Sequence, residues 1–170
     1  MITIRLLSKD DVPFLTDVRN ECAEQYLHTS SKFSVSDAYK WFDDTKPMFH
    51  VILHNDVKIG YFRVTNYSAL NRNLYIGADL HQDFRGKGLA YEAYRLFIPT
   101  IIKRYGLHKV SLEVLATNTR AHNLYIKLGF VNEGAKRQEV YKNGQYVDSI
   151  IMSILKSEVE SNNIYCTKNL

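Results

Sequence analysis

Hydrophobic and polar positions alternate in several short stretches of the chain, which is the pattern of half-buried β-strands. The first such stretch is residues 2–6, and a helix with proline in its first turn is predicted from about Val12. A second, shorter helix is predicted after a serine cap at Ser34 or Ser36. The amino-terminal part therefore predicts one strand followed by two helices.

The next three apolar runs predict a meander of antiparallel strands. Residues 49–54 and 59–64 read as two strands, and the turn-forming residues 55–58 join them as a hairpin. A third strand is predicted at residues 74–80. These three strands would lead the chain directly to a glycine-containing loop.

After that loop, the apolar positions change to a helical period. Leu89, Ala93 and Phe97 recur at helical spacing, and Gly106 is a plausible end of this helix. Residues 109–115 then alternate as a strand. A strand, a helix and a strand in this order predict a crossover connection, so the two strands should be parallel.

The last third of the chain is punctuated by clear turn signals. Residues 118–130 predict a helix with a polar cap before it and a glycine after it. Asn143-Gly144 predicts a hairpin, and residues 149–155 predict a closing strand. The sequence then becomes polar and aperiodic, so we expect a domain at 1–158 and a tail at 159–170 that is ordered only if something docks it.

The loop at residues 81–90 has the chemistry of a phosphate cradle. Gly86 and Gly88 lack a Cβ, so the backbone can turn sharply and approach a ligand closely. The following helix offers unpaired N–H groups and the positive end of its dipole, while Arg85 and Lys87 add cationic side chains. An ordinary strand-to-helix turn with solvated charges is the alternative for so short a segment.

Two common nucleotide motifs fit this loop less well. A Walker loop needs serine or threonine after its Gly-Lys pair, whereas Lys87 is followed by Gly88. A dinucleotide fingerprint needs one more glycine at the right spacing. The loop by itself therefore predicts an anion site without naming the anion.

Composition narrows the class of protein. A chain of 170 residues with 45% hydrophobic and 24% charged residues is typical of one globular domain. Its net charge of +4 comes without a block of five like charges, so nucleic-acid binding is not demanded and a small anionic ligand is suited. We also expect no signal peptide and no membrane span.

The two cysteines are interpreted as free thiols. Cys22 and Cys166 lie far apart and have no metal-ligand spacing, so a metal site is not predicted. Free thiols fit a reducing compartment, and a cytoplasmic location is therefore expected. Neither cysteine is a candidate nucleophile.

Two motifs, in the right order, resemble a known family. The first motif is Arg or Gln, then any two residues, Gly, any one residue, and finally Gly or Ala. Arg85, Gly88 and Ala90 match its fixed positions. The signature Asn-x-x-Ala-x-x-x-Tyr-x-x-x-Gly-Phe is met by Asn118, Ala121, Tyr125, Gly129 and Phe130. Over residues 1 to 157 the chain resembles the GNAT superfamily of acetyl-CoA-dependent N-acetyltransferases. Its ending is similar to the branch with ribosomal-protein, spermidine and amino-sugar acetyltransferases.

This resemblance implies a fold and a cosubstrate. The implied fold is α/β (α+β): a single domain with a mixed, mostly antiparallel sheet, flanked by helices, whose central parallel pair is splayed for CoA. The cosubstrate would be acetyl-CoA, without a metal. Its pantetheine arm would run between the splayed strands, and a backbone N–H near Asp79 or Leu80 would polarise the thioester. The implied cofactor-binding residues are Leu80, Arg85, Gly86, Lys87, Gly88, Leu89, Ala90 and Asn118.

The resemblance also implies two catalytic residues. Tyr125 would be the general acid that protonates the departing thiolate, although its place on an apolar helix stripe also fits core packing. Glu113 matches a glutamate that serves as base in some amino-terminal acetyltransferases, although it could be an edge carboxylate. Tyr75 stands where many relatives carry another glutamate, so Asp79, His81 or a water chain stay open as alternatives.

The implied reaction is direct transfer of acetyl to a primary amine in a ternary complex. A protein or peptide amino terminus is the preferred acceptor, and an amino sugar or other small amine is the alternative. The sequence has no pronounced acidic patch, which argues against polyamines. A CoA-binding sensor without transfer activity is a further alternative. We expect no nucleic-acid or membrane partner, and a homodimer stays open.

Overall fold

A computed structural model describes residues 1–162 and residue 165. The strands of the described part are β1 (Ile2–Leu6), β2 (His50–His54), β3 (Val57–Ser68), β4 (Asn73–Leu80), β5 (Lys109–Leu115), β6 (Val131–Lys142) and β7 (Gln145–Leu155). The α-helices are α1 (Val12–Cys22), α2 (Val35–Thr45), α3 (Leu89–Tyr105), α4 (Thr119–Lys127) and α5 (Lys156–Ser161). The strands form a single sheet in the order β1-β2-β3-β4-β5-β7-β6.

The only parallel neighbours within this sheet of described residues are β4 and β5. They pair at three positions, Asn73 with Lys109, Leu74 with Val110, and Tyr75 with Ser111. Beyond Tyr75 the two strands are no longer paired, although β4 continues to Leu80 and β5 to Leu115. The predicted mixed sheet with a splayed parallel pair and flanking helices is thus confirmed.

The alternation along the central strands divides the core between two faces. On one face Phe62, Leu74 and Leu112 belong to the same buried cluster as the apolar stripe of α3 and Tyr125 of α4. On the other face Tyr61 lies in a second cluster with the buried side of α1. Since both faces are covered by apolar contacts, the gap between β4 and β5 opens inside a packed sheet.

Local turn chemistry sets the ends of these elements. The side chain of Ser34 accepts a hydrogen bond from Asp37 N, so Ser34 and not Ser36 caps α2. Asn143 and Gly144 have φ values of 50° and 83°, as a tight hairpin turn between β6 and β7 requires. Gly106 has a φ of 60° and ends α3. The predicted hairpin and helix ends are confirmed.

The predicted boundary between residues 158 and 159 falls inside α5. Val159 and Tyr165 are buried, and the Tyr165 hydroxyl donates a hydrogen bond of 2.7 Å to Leu128 O. Residues 163, 164 and 166 to 170, including Cys166, lie outside the described residues. The division into a domain and a tail therefore stays a prediction.

Candidate active site

A cavity of about 510 Å³ opens where β4 and β5 diverge. The His81 N–H donates a hydrogen bond of 2.9 Å to Ile59 O in β3. Because bonded and non-bonded pairs alternate along antiparallel strands, Ala78 and Leu80 direct their N–H groups away from β3 and towards the gap. The edge of β4 thus presents backbone donors to anything extended that enters the cavity.

The predicted phosphate loop forms one end of this cavity. Gly88, with a φ of 79°, is the residue just before α3 and has no side chain to cap it, so the first N–H groups of the helix have no side-chain partner there. Gly86, Gly88, Leu89 and Ala90 all line the cavity. An uncapped helix start at the end of a cavity is suited to an anion, because the N–H groups and the helix dipole both favour negative charge.

The cavity wall beside the loop includes two cationic side chains that the sequence analysis did not name. Lys87 lies 5.7 Å from the centre of the Phe84 ring and is not part of the cavity wall among the described residues. Arg120 and Lys127, both on α4, do line the cavity. Sequence reasoning missed these two cations because only the packing of α4 against the loop brings them to the site.

The Arg85 side chain braces the loop against α1. Its Nε donates a hydrogen bond of 2.8 Å to Leu80 O, and its Nη2 lies 3.0 Å from Glu21 Oε1. The guanidinium also lies over the Tyr26 ring, 5.2 Å from its centre. Arg85 therefore holds the loop in shape, whereas its predicted contact with a phosphate is not tested by this geometry.

Asn118 caps the second motif helix and also faces the cavity. Its Oδ1 accepts a hydrogen bond of 3.2 Å from Ala121 N at the start of α4, which satisfies one of the unpaired donors there. Asn118 is among the lining residues. The capping role is thus present, and binding of the cosubstrate by this side chain stays a prediction.

Tyr125 lies at the boundary between the core and the cavity. The residue is 7% exposed, lines the cavity and has its hydroxyl 3.3 Å from the Tyr94 hydroxyl. Burial raises the pKa of Tyr125, so its hydroxyl keeps its proton at neutral pH. A buried, protonated hydroxyl at a cavity wall can donate a proton to a strong base formed beside it.

The Asp79 carboxylate forms an ion pair with Arg63, so it is not an isolated base in the cavity. Gly77 leaves room for the Arg63 guanidinium, since a Cβ at Gly77 would lie 2.7 Å from Arg63 Nη2. Arg63 Nε lies 3.1 Å from Asp79 Oδ2. The other predicted alternative, His81, has its Nε2 3.9 Å from Glu21 Oε2 and is not in the cavity wall of the described chain.

Glu113 lines the opposite part of the cavity and belongs to a polar cluster. Its Oε1 accepts a hydrogen bond of 2.7 Å from Lys136 Nζ, and its Oε2 accepts one of 3.2 Å from Ser149 Oγ. His28 Nε2 lies 2.7 Å from Ser149 Oγ and 3.8 Å from Glu113 Oε2. Sequence reasoning missed His28 and Ser149, which are 121 residues apart and carry no motif.

The segment that carries His28 is anchored by a buried cation from the β6–β7 hairpin. Lys142 Nζ donates hydrogen bonds of 2.6 Å to Ala23 O and 2.8 Å to Glu24 O, just after the end of α1. A cation at a helix carboxyl terminus complements the free carbonyls and the dipole there. Lys142 thus fixes the segment between α1 and α2 over the cavity.

Neither a metal-binding cluster nor a membrane-spanning helix occurs among the described residues. No group of three or more His, Cys, Asp or Glu side chains in residues 1–162 and 165 is arranged to hold a metal ion. None of the helices in that part of the chain has both the length and the apolar character that crossing a membrane requires.

Comparison with known proteins gives a consistent result. Residues 2–131 match the family model described as acetyltransferase (GNAT) domain. A putative ribosomal N-acetyltransferase, YdaF of Bacillus subtilis, is 26% identical over 171 residues, which cover 94% of this chain and 93% of that protein. A spermidine N(1)-acetyltransferase of Vibrio cholerae is 24% identical over 169 residues, covering 92% of this chain and 94% of that protein.

A solved structure shares the fold. It is the spermidine N-acetyltransferase from Vibrio cholerae in complex with CoA and spermine, with a TM-score of 0.87. The sequence identity is 24%, and the superposition covers 94% of this chain and 98% of that one. At this identity the likeness shows the fold alone.

Proposed function

Because the chain belongs to the GNAT family of acetyl-CoA-dependent N-acetyltransferases, we propose that it acetylates the amino-terminal amine of a protein or peptide by direct attack. One observation carries this proposal: a single cavity joins the start of α3, the gap beside β4, Tyr125 and Glu113. These features would supply an anion site, backbone donors, an acid and a base around one cavity. Acetyl-CoA supplies an activated acetyl group as a thioester when it is bound.

The residues of the cavity fit this cosubstrate. The unpaired N–H groups at the start of α3 would hold the pyrophosphate, with Arg120 and Lys127 as nearby cations. The N–H groups of Ala78 and Leu80 would pair with the amides of the pantetheine arm or hold the thioester oxygen. The open donors therefore follow one path from the start of α3 to the gap beside β4.

Tyr125 is the proposed general acid. A thiolate leaving group is a strong enough base to take a proton from a phenol, whose ordinary pKa is about 10. The buried hydroxyl of Tyr125 stays protonated until such a base forms beside it. Donation of that proton would complete the departure of CoA.

The polar cluster of Glu113, Ser149 and His28 is proposed to accept the proton of the incoming amine. An α-amino group has an ordinary pKa of about 7.7–8.0, so a large share of it is protonated at neutral pH and cannot attack. Glu113 lines the cavity and has partners on both oxygens. The base function is therefore assigned to this cluster as a unit.

The charge balance of the cavity favours an acceptor with a single amine. The carboxylate of Asp79 is paired with Arg63, that of Glu113 with Lys136, and that of Glu21 with Arg85. A polyamine needs several carboxylates that are free to bind its charges. The relative named for ribosomal acetylation supports a peptide acceptor, and an amino sugar is the second candidate because it also carries a single primary amine.

An acceptor panel tests this proposal. Release of CoA from acetyl-CoA would be measured with a short peptide, with the same peptide blocked at its amino terminus, with glucosamine and with spermidine. We expect the highest kcat/KM with the free peptide and none with the blocked peptide, even when it contains an internal lysine. A preference for spermidine, or equal use of the blocked peptide, would overturn the proposed acceptor.

A further inference from the structure

His28 lies in the irregular segment between α1 and α2 and lines the cavity together with Glu113. Its side chain is 33% exposed, so a ligand in the cavity could reach it, and one ring nitrogen is held by a hydrogen bond. The holding contact is the 2.7 Å hydrogen bond between His28 Nε2 and Ser149 Oγ. Ser149 itself is fully buried and lies 3.2 Å from Glu113 Oε2.

The order of these three groups sets the tautomer of His28. Glu113, which also accepts from Lys136, is a carboxylate and can only accept, so the single hydrogen of the Ser149 hydroxyl points to Glu113 Oε2. With the Ser149 hydrogen directed to Glu113, the Ser149 oxygen accepts from His28, and we assign Nε2 as the donor. A neutral imidazole has one N–H, so the lone pair lies on Nδ1.

The same geometry excludes Ser149 as a nucleophile. In a Ser–His–carboxylate triad the serine and the carboxylate bind opposite nitrogens of the ring. Here Ser149 Oγ and Glu113 Oε2 both lie on the Nε2 side of His28, at 2.7 and 3.8 Å. The cluster therefore orients an imidazole and does not activate a hydroxyl.

We propose that His28 Nδ1 is the base that removes the proton from the acceptor amine, and that Ser149 and Glu113 are positioning residues that keep Nδ1 unprotonated. This proposal rests on the proposed function of the cavity as a site of amine acetylation. It assigns a catalytic role to a residue that neither motif contains.

The charges around His28 are consistent with this role. Burial lowers the pKa of His28 below its ordinary value of about 6.5, and the cations of Arg63 on β3 and Lys136 on β6 lower it further. Glu113 on β5 and Glu139 on β6 raise the pKa and oppose this shift. The imidazole is thus neutral at neutral pH, and Glu113 Oε2 stabilises the imidazolium that proton removal creates.

The protons of the reaction balance with this assignment. The ammonium form of the acceptor gives one proton to His28 Nδ1, and the neutral amine nitrogen then forms the new C–N bond while the C–S bond breaks. Tyr125 gives its own proton to the departing sulfur, and the second proton of the acceptor nitrogen passes to the Tyr125 oxygen, which restores the phenol. The imidazolium of His28 finally releases its proton to solvent.

The tautomer can be measured without any acceptor. Two-bond ¹H–¹⁵N NMR of the full chain distinguishes Nε2–H from Nδ1–H imidazoles, and the His28 signals are assigned as those absent from His28→Gln. We expect neutral His28 to carry its proton on Nε2 almost exclusively, and Ser149→Ala to relax it to the mixture of tautomers found in an unconstrained histidine, in which Nδ1–H is detectable. An Nδ1–H tautomer in the unaltered chain would overturn the proposal.

Kinetics test the base role directly. With an amine acceptor that the unaltered protein uses, His28→Gln should lower kcat about 10²-fold near neutral pH. The deficit should shrink as the pH rises above the pKa of the acceptor, because the amine is then already neutral. The control is His54→Gln, which alters a histidine at the end of β2 outside the cavity wall and should keep the original kcat.

The pH profile gives a third readout. His28 is active when neutral, so kcat should rise with pH through a pKa below about 6.5 and then level off, and His28→Gln should lack this limb. If His28→Gln keeps its kcat while Glu113→Gln loses it, Glu113 is the base and the His28 proposal fails alone. If the unaltered chain binds CoA but acetylates no amine, the proposed function is wrong, and the His28 proposal, which rests on it, falls with it.

Discussion

Tyr125 shows how one residue can serve both the core and the chemistry. Its ring packs against Tyr94 and Phe130, with ring centres 5.6 and 5.8 Å away, and the same residue lines the cavity. The packing holds the hydroxyl in place, and the burial raises its pKa. A residue fixed in this way needs no reorganisation when a thiolate forms beside it.

The change Tyr125→Phe should separate these two roles. It keeps the ring and removes the hydroxyl, so kcat should fall about 10²-fold while the Kd for CoA stays the same. Steady-state thiol release and calorimetric CoA titration measure the two quantities. Tyr105→Phe is the matched control, because Tyr105 ends α3 outside the described cavity wall. An unchanged kcat, with the chemical step rate-limiting, would remove Tyr125 as the acid.

At the residue scale the sequence predicted chemistry best where a motif exists. Tyr125 and Asn118 were found from motif spacing, and both line the cavity. His28 could not be found, because a single histidine in an irregular segment has no signal until the fold places it beside Ser149. For the same reason the sequence could not show that the Arg85 side chain is occupied by Glu21 and Leu80 O.

At the scale of elements, turn residues made the chain predictable. The Asn143-Gly144 hairpin, the cap of α2 and the end of α3 all follow from local conformational preferences. The length of β3 could not be predicted in this way. Its pairing with β4 is interrupted after Thr65 and resumes at Ser68, whereas the sequence pattern predicted that the strand ends at residue 64. Strand length depends on the partner strand more than on the strand itself.

The loop before α3 can be tested with a pair of matched glycine variants. Gly88 and Gly144 have φ values of 79° and 83°, and a Cβ at either would meet nothing within 4 Å. Replacing either glycine by glutamate should therefore lower the free energy of unfolding by a similar amount, about 1–2 kcal/mol, because of backbone strain. Only Gly88→Glu places a carboxylate at the anion site, so it alone should weaken CoA binding, at least about tenfold.

The readouts for this pair are thermal unfolding and calorimetric CoA titration. Similar losses of Tm in both variants would show that the strain is matched. Normal CoA affinity in folded Gly88→Glu, or an equal loss of affinity in Gly144→Glu, would contradict the assignment of the loop.

At the scale of the whole molecule, the sheet order creates the site. The strand–helix–strand crossover brings β4 and β5 side by side, and β7 then inserts next to β5 and places Ser149 beside Glu113. The parallel pairing of β4 and β5 could be predicted from the strand–helix–strand pattern, whereas the complete fold class was implied by the family resemblance that the two motifs carry. The cavity could not, because its wall combines side chains from several elements whose contacts form only after folding.

A crystal structure of the chain with CoA tests the role of this cavity most directly. We expect the pyrophosphate against the N–H groups at the start of α3, the pantetheine arm along β4, and the sulfur within about 3.5 Å of Tyr125 Oη. Such a complex would place the leaving group beside its proposed acid and on the same side of the sheet gap as the backbone donors. CoA bound outside the gap between β4 and β5, or with its sulfur remote from Tyr125, would contradict the proposed site.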